Sequence, residues 1–355
     1  MSVPAYSYMI TNRKDPTAIL ELQAPLPGSG LWWYLSTTGP NDQQYGDYSS
    51  FSGVPETTAP ASWISPLVAE LRAQAQPSLT VFIHGLDADW SNAVEFTGLL
   101  GQNLAGQGYR GLVVGFSWPS MGETDGVLYS NGYPPAATPG TVRGNICASV
   151  ESFGSFIAWT RSLAGQVPGL QVNLVCHSEG NFMLMTGMSG IATAALNQVV
   201  MLAADVNDGA FQVPPPPPTL VGQAARIAAL SNFVTVYYSS NDYTLALCQG
   251  VFSCQHNPGF GGRLGLSGPN YDAGPQEPNV IGLDCSAVVN TAYVSRLPAG
   301  VVPAGAELHI SYFYIPQVLA DMAQTLGNTP AGSVANRGKT ATANAYVMQA
   351  VTSAS

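Results

Sequence analysis

Short apolar runs, each stopped by a small or polar residue, alternate along the chain with stretches in which apolar residues recur every three or four positions. Short runs of this kind read as buried strands, and the longer periodic stretches read as helices with one face on a core. Strands are expected at residues 6–11, 31–37, 79–83, 111–118, 172–175, 198–205, 233–239 and 280–284. Helical spacing covers residues 64–75, a stretch from Ser91 as N-cap to Leu104, residues 142–164, a stretch entered at Phe182, residues 220–230, and a last one opened by His309 and ending near Leu326. Strands that alternate with helices imply an α/β fold, a mostly parallel sheet covered by helices on both faces. The pattern reads as one domain over residues 1–326 with long loops at 119–140 and 243–278, followed by a small polar tail at 327–355 without a core pattern. The proline run at 214–218 is stiff and extended, and serves as a loop spacer.

In such sheets ligands bind beyond the carboxyl ends of the strands. His84-Gly85, Trp118, Ser178, Asp205 and Asp242 all fall at such ends. One of these ends stands out. Val172-Asn173-Leu174-Val175 runs into Cys176-His177-Ser178-Glu179-Gly180, and Phe182-Met183-Leu184-Met185 leads away. Strand, very tight turn and buried helix is the signature of a nucleophile elbow, with Cys176 where a glycine usually stands. The turn needs small residues because its backbone is strained and neighbouring chains come close. Gly180 meets that need after the serine, and a cysteine is small enough before it.

Composition narrows the function classes. The chain has 355 residues, 46% hydrophobic and only 9% charged, so it has material for a large core and a surface carried by neutral polar residues. A formal net charge of -10 repels phosphate backbones, so no nucleic-acid partner is expected. No apolar stretch has the length of a transmembrane helix, and the first residues lack a basic region followed by an apolar segment, so the default expectation is a cytoplasmic protein. Five cysteines make an odd count. Cys147 and Cys176 read as buried thiols, Cys248 and Cys254 are spaced to close a small loop disulfide, and Cys285 ends an apolar run. None has zinc-site spacing with histidine, so neither a metal nor a cofactor is expected.

A serine hydroxyl is a weak nucleophile at neutral pH and needs a base whose tautomer is fixed by a third group. Four histidines are available. His84 and His177 precede the serine, and His177 should point away from it on the strand. His256 lies in a glycine-rich stretch and is the alternative base. His309, after the last strand, stands where the base is expected. Asp242 is the expected acid, with Asp205 the alternative and Asp284 a loop cap or a neighbour of His309. Charge on the substrate oxygen needs two backbone N–H donors. Those of Glu179 and of the Gly85-Leu86 turn are the candidates. His84, Trp118 and Asp205 are expected to line a substrate pocket.

These residues carry a resemblance. Met9-Ile10-Thr11-Asn12-Arg13, Val81-Phe82-Ile83-His84-Gly85, Phe116-Ser117-Trp118-Pro119-Ser120, His177-Ser178-x-Gly180-Asn181, Ala203-Ala204-Asp205-Val206 and His309-x-Ser311-Tyr312-Phe313 occur in this order over roughly residues 9 to 325. The chain resembles the α/β-hydrolase superfamily, and within it a bacterial branch first described only as a domain of unknown function. The resemblance implies an α/β-hydrolase fold and a Ser-Asp-His hydrolase, with Ser178 and His309 at matching positions and Asp242 carried over by position. Cys176 and Glu179 depart from the usual pattern, and neither removes a catalytic group. The expected activity is serine esterase chemistry on small-molecule carboxylic esters of short to medium acyl chain. Lipase, thioesterase or peptidase activity by the same chemistry is the alternative, as is a non-catalytic hydrolase fold used for binding.

Overall fold

A computed structural model describes residues 7–13, 31–36, 59–86, 88–120, 142–194, 196–213, 224–252, 262–295 and 307–350. The strands are β1 (Ser7–Thr11), β2 (Trp32–Ser36), β3 (Ser78–Ile83), β4 (Leu112–Ser117), β5 (Gln171–His177), β6 (Leu196–Leu202), β7 (Ser231–Tyr238), β8 (Val280–Asp284), β9 (Arg337–Lys339) and β10 (Ala345–Met348). They join one ten-stranded sheet in the order β2-β1-β4-β3-β5-β6-β7-β8-β10-β9. Only the β1–β2 and β9–β10 pairs at the two margins are antiparallel; the ladders between them are parallel.

Side chains alternate between two cores, as the two-residue period of a strand requires. Leu79, Val81 and Ile83 of β3, Leu174 and Cys176 of β5, and Val199 and Met201 of β6 enter one core. Phe82, Val175, Val200 and Leu202 enter the other. The first core is closed by α1 (Ala61–Arg72), α4 (Val150–Gln166), α5 (Gly180–Met188) and α6 (Ala225–Leu230), with Trp63, Phe153, Phe156 and Trp159 among the aromatic fillers. The second is closed by α2 (Trp90–Gly106) and α11 (Pro316–Leu326), with Leu100, Leu104, Val318 and Met322 against the strands. A large apolar side chain buried this fully is worth about 1.5–3 kcal/mol over exposure. The continuous apolar runs in the sequence are therefore strands that bury both faces.

Several expectations are corrected in detail. Helix α2 is capped by Asp89, whose carboxylate accepts from Asn92 N–H, and not by Ser91. The expected helix at 142–164 is two helices, α3 (Val142–Ala148) and α4, parted at Ser149. The Ser149 hydroxyl donates to Asn145 O at 2.6 Å, a back-bond that competes with the helical ladder. Cys147 lies on the outer side of α3 and is exposed, while Cys176 and Cys285 are buried free thiols. His309 belongs to a separate turn, α10 (Glu307–Ile310), because Pro316 has no N–H to extend a helix and so begins α11.

Part of the stretch expected as loop at 243–278 is helical, as α7 (Tyr243–Phe252) and the short α8 (Leu264–Ser267). Another single turn, α9 (Thr291–Val294), follows β8. Beyond Gly327, where no core pattern is legible, the chain adds β10 beside β8 and β9 beside β10. These strands are only three and four residues long and bury little more than Ala345 and Met348, too short for a periodic signal. Cys254, and with it the Cys248–Cys254 pairing, the proline run, most of the 119–140 loop and His256 fall outside the described residues.

Candidate functional site

The site forms where β5 ends. Ser178 leaves the strand with φ +52°, in the left-handed region that costs a non-glycine residue about 1 kcal/mol or more. The fold holds it there. Ser178 N–H donates to Leu202 O at 3.0 Å, and Asp205 N–H donates to Ser178 O at 3.3 Å, so the elbow is tied to the end of β6. The buried Asn181 amide lies under the turn, with its Nδ2 reaching Ser178 O at 3.0 Å, Leu202 O at 3.2 Å and Cys176 O at 3.3 Å. Gly180 is required by close approach: a Cβ there would sit 2.5 Å from His84 O and 2.6 Å from Ile83 O. Burial pushes the Cys176 thiol well up, which keeps it protonated and inert at neutral pH.

His309 and Asp242 arrive from other elements. Asp242 follows β7 and is fully buried. One of its oxygens accepts Leu245 N–H at 3.1 Å in the first turn of α7, which fixes the carboxylate. The other accepts from His309 Nδ1 at 2.8 Å. With its proton on Nδ1, the ring presents Nε2 to the Ser178 hydroxyl, also at 2.8 Å. Three residues separated by up to 131 positions thus form one continuous hydrogen-bonded line. Such a line can draw the proton from a hydroxyl and hold an imidazolium in place. Asp205 is not part of it and pairs instead with Arg263 at 3.2 Å. Asp284 caps the turn after β8 through Ser286.

The Gly85 turn, at the end of β3, backs directly onto the serine. A Cβ on Gly85 would lie 2.8 Å from Ser178 Cβ. Glu179 is buried at the start of α5, next to Ser178 in the chain. His84 and Trp118, expected as pocket lining, are packed behind this turn instead. Trp118 has no exposed surface and His84 is 2% exposed. Their rings stack at 5.6 Å with an interplanar angle of 3°. Trp118 Nε1–H donates to His84 O at 2.9 Å, and Trp118 N–H to His84 Nε2 at 3.1 Å. Polar atoms used inside the protein in this way do not face a ligand. Among the described residues no group of three or more His, Cys, Asp or Glu side chains could hold a metal ion, and no helix is long and apolar enough to cross a membrane.

Three supporting residues are missed by the reading of the sequence. His177 is buried as a core histidine should be, yet its ring packs 4.8 Å from that of His309 and its Nε2 donates to His309 O at 2.9 Å. Burial, then the neighbouring His309 and His84, lowers His177 to about 3, so this donor stays neutral. The others are Asn181 and Arg13. Strand parity places residue 177 on the α11 face, but only the three-dimensional structure brings His309 to it. Asn181 and Arg13 sit in the stretches that carry the family resemblance, and nothing in their spacing assigns them a task.

A mostly parallel sheet with helices on both faces, with Ser178 at a strand-to-helix elbow, defines an α/β hydrolase. The chain belongs to the alpha/beta hydrolases of unknown function grouped as DUF900, whose family model matches residues 59–256, more than half of the chain. No curated protein matches it significantly in sequence. Among solved structures, it is similar to a protein assigned as a cell surface hydrolase from Lactobacillus plantarum WCFS1, with 11% identity, TM-score 0.38, and coverage of 74% of this chain and 96% of that one. A cutinase-like protein from Cryptococcus sp. is similar at 12% identity and TM-score 0.32, covering 72% of this chain and 95% of that one. Likenesses this loose do not bear on the chemistry.

Proposed function

We propose that the protein is a serine hydrolase that cleaves carboxylic esters. The observation that carries this reading is the hydrogen-bonded line Asp242–His309–Ser178, with both contacts at 2.8 Å. In the proposed reaction Ser178 Oγ attacks the ester carbonyl carbon while its proton passes to His309 Nε2. Asp242 holds the Nδ1–H tautomer and stabilises the imidazolium. The tetrahedral oxyanion takes hydrogen bonds from the backbone N–H groups of Glu179 and Leu86, at the turn that contains Gly85. His309 then protonates the leaving alkoxide, which departs as alcohol. Water, deprotonated by His309, attacks the acyl-enzyme and releases the acid. A pair of preorganised donors of this kind supplies about a hundred- to a thousand-fold in rate per donor.

A fluorophosphonate probe and a panel of aryl esters of graded acyl length test the reading together. The wild-type protein is expected to label with one equivalent and to turn over short-chain esters. Ser178→Ala is expected to abolish labelling and to lower kcat by about 10⁴-fold or more. Labelling that persists in Ser178→Ala, or no labelling of the folded wild type, overturns it. Thioesters and amides in the same panel separate the ester reading from the thioesterase and peptidase variants of the same chemistry.

A further inference from the structure

Arg13 follows β1 and has no exposed surface. Its Nε donates to Ser117 Oγ at 2.8 Å, its Nη2 donates to Ala88 O at 2.7 Å, and Nη2 also lies 3.4 Å from His84 Nε2. Nη1 has no hydrogen-bond partner among the described residues. Among the described residues no carboxylate contacts the guanidinium directly. Burial pulls its pKa down to about 9, with the charge of Asp89 acting in the opposite direction. A cation held this way costs several kcal/mol in desolvation. Its side chain spans the end of β4, at Ser117, and both ends of the turn from His84 to Ala88.

The bonds in this turn fix one tautomer. His84 Nδ1 lies 2.9 Å from Gly85 O, and a carbonyl only accepts, so Nδ1 carries the proton. His84 Nε2 is then an acceptor. It faces Trp118 N–H at 3.1 Å, the Ser117 hydroxyl at 3.2 Å and Arg13 Nη2 at 3.4 Å. Because Ser117 Oγ accepts from Arg13 Nε, its own hydrogen is available to His84. Burial and then the Arg13 charge hold His84 at about 3, so the ring does not take a second proton at neutral pH. The far end of the turn is fixed as well. Ala88 O accepts from Ser120 Oγ at 2.8 Å as well as from Arg13, and Ala88 N–H donates to Ser120 Oγ at 3.1 Å.

This arrangement has a consequence for the peptide between Gly85 and Leu86. In a trans peptide the C=O and N–H point to opposite sides. With Gly85 O bound to the His84 ring, the Leu86 N–H is turned away from that ring, while Gly85 itself abuts Ser178. We propose that Arg13 is a positioning residue for ester hydrolysis: by bridging Ser117, His84 and Ala88 it fixes the turn and holds the Leu86 N–H where charge develops on the substrate oxygen. The proposal rests on Ser178 being the nucleophile.

The test is Arg13→Met, with Arg13→Lys as the conservative variant, measured per active site by fluorophosphonate titration. Arg13→Met is expected to lower kcat about 10- to 100-fold with KM little changed. The inhibition constant of a trifluoromethyl ketone, which forms the tetrahedral adduct, should rise by the same factor. Lysine reaches one end of the turn and not both, so it should restore only part of the rate. Nitrogen-15 NMR of the histidines should show His84 as the neutral Nδ1–H form in both proteins, with its Nε2 resonance shifted in Arg13→Met as the neighbouring cation is lost.

A merely structural role would change the melting temperature and the fraction of active sites without moving kcat per site or the inhibition constant of the ketone. A folded Arg13→Met protein whose kcat per site stays within about twofold of wild type overturns the proposal and leaves the hydrolase reading standing. A wild-type protein that neither labels nor turns over esters overturns the hydrolase reading, and the proposal with it. If Arg13→Met does not fold, Ser117→Ala decides. It removes the hydroxyl between Arg13 and His84 and is expected to lower kcat roughly fivefold, the equivalent of one ordinary hydrogen bond. Unchanged kcat in Ser117→Ala then counts against the proposal.

Discussion

Two arginines are buried on opposite flanks of the sheet, and they are held in opposite ways. Arg337, on β9, grips Asp321 of α11 with Nε at 2.7 Å and Nη2 at 2.6 Å, while the same Nη2 reaches Thr325 Oγ1 at 2.7 Å. Tyr237 of β7 donates to Asp321 at 2.6 Å, so the carboxylate is the hub of a closed network. Burial pulls Arg337 down, but the hydrogen bonds and charge of Asp321 win and hold it above its ordinary pKa. Arg13, beside β1, has neutral partners, one nitrogen without any among the described residues, and a pKa drawn down to about 9. A buried cation matched by a carboxylate ties three elements together. One left without such a match among the described residues is a local cost, and here it stands behind the turn that touches Ser178. The first arrangement serves stability and the second serves geometry.

The same substitution in the Asp242–His309–Ser178 line and in the Arg337 network should separate geometry from stability most widely. Asp242→Asn keeps the cap on Leu245 but presents the wrong hydrogen-bonding partner to His309. It should lower kcat by about 10³- to 10⁴-fold with little change in melting temperature. Asp321→Asn should instead cost about 3–5 kcal/mol in urea unfolding, because Arg337 is left with an unneutralised buried charge. The folded Asp321→Asn protein should keep its kcat. If the two outcomes exchanged, the contrast between the regions would be wrong. Replacing both partners, Asp321→Leu with Arg337→Met, should recover most of the lost stability, since an apolar pair needs no compensation. A double-mutant cycle measures that coupling directly.

A smaller effect is expected at the contact between the elbow and the Gly85 turn. Gly180→Ala would push a methyl carbon to within 2.5 Å of the His84 carbonyl. Overpacking against backbone should cost about 1–3 kcal/mol and lower kcat as the elbow shifts. A Gly180→Ala protein with unchanged activity and melting temperature would show that this contact relaxes freely.

At neutral pH the smallest effect is the one that acid brings out. His84 and His177 are both held at about 3 in the folded protein, chiefly by burial, against an ordinary value of 6.5. Between about pH 6.5 and 3 the unfolded chain therefore binds more protons than the folded one. Their contribution to stability is complete above pH 6.5 and is lost as the pH falls through this window. Each histidine contributes a slope of up to about 1.4 kcal/mol per pH unit. His177→Gln, which keeps a donor for His309 O, should flatten the acid limb of the unfolding curve by up to one proton. An unchanged slope would place the acid sensitivity elsewhere.

Much of the frame is legible from the chain. Continuous apolar runs such as 199–204 identify strands buried on both faces, because a strand exposed on one face would alternate. The elbow is readable because a strand, a small-residue turn and an apolar helix in sequence leave few other geometries. What misleads the reading is short or locally bonded: Ser149, which parts two helices with its own hydroxyl, and the strands β9 and β10, too brief to show a period. His84 and Trp118 read as lining because they stand at strand ends. Residue position along a strand says nothing about whether the polar atoms of a side chain are already taken.

The sequence by itself determined the layered α/β architecture and proposed Ser178, Asp242 and His309, because both rest on local patterning and chain order. Tertiary structure decided what brings distant residues into contact. It set His309 between Asp242 and Ser178, placed His177 beneath His309, and turned Arg13 onto a loop 71 residues away. The physical reason is that periodicity reports which face of an element is buried, whereas hydrogen bonds between elements depend on packing, which no single stretch of the chain encodes.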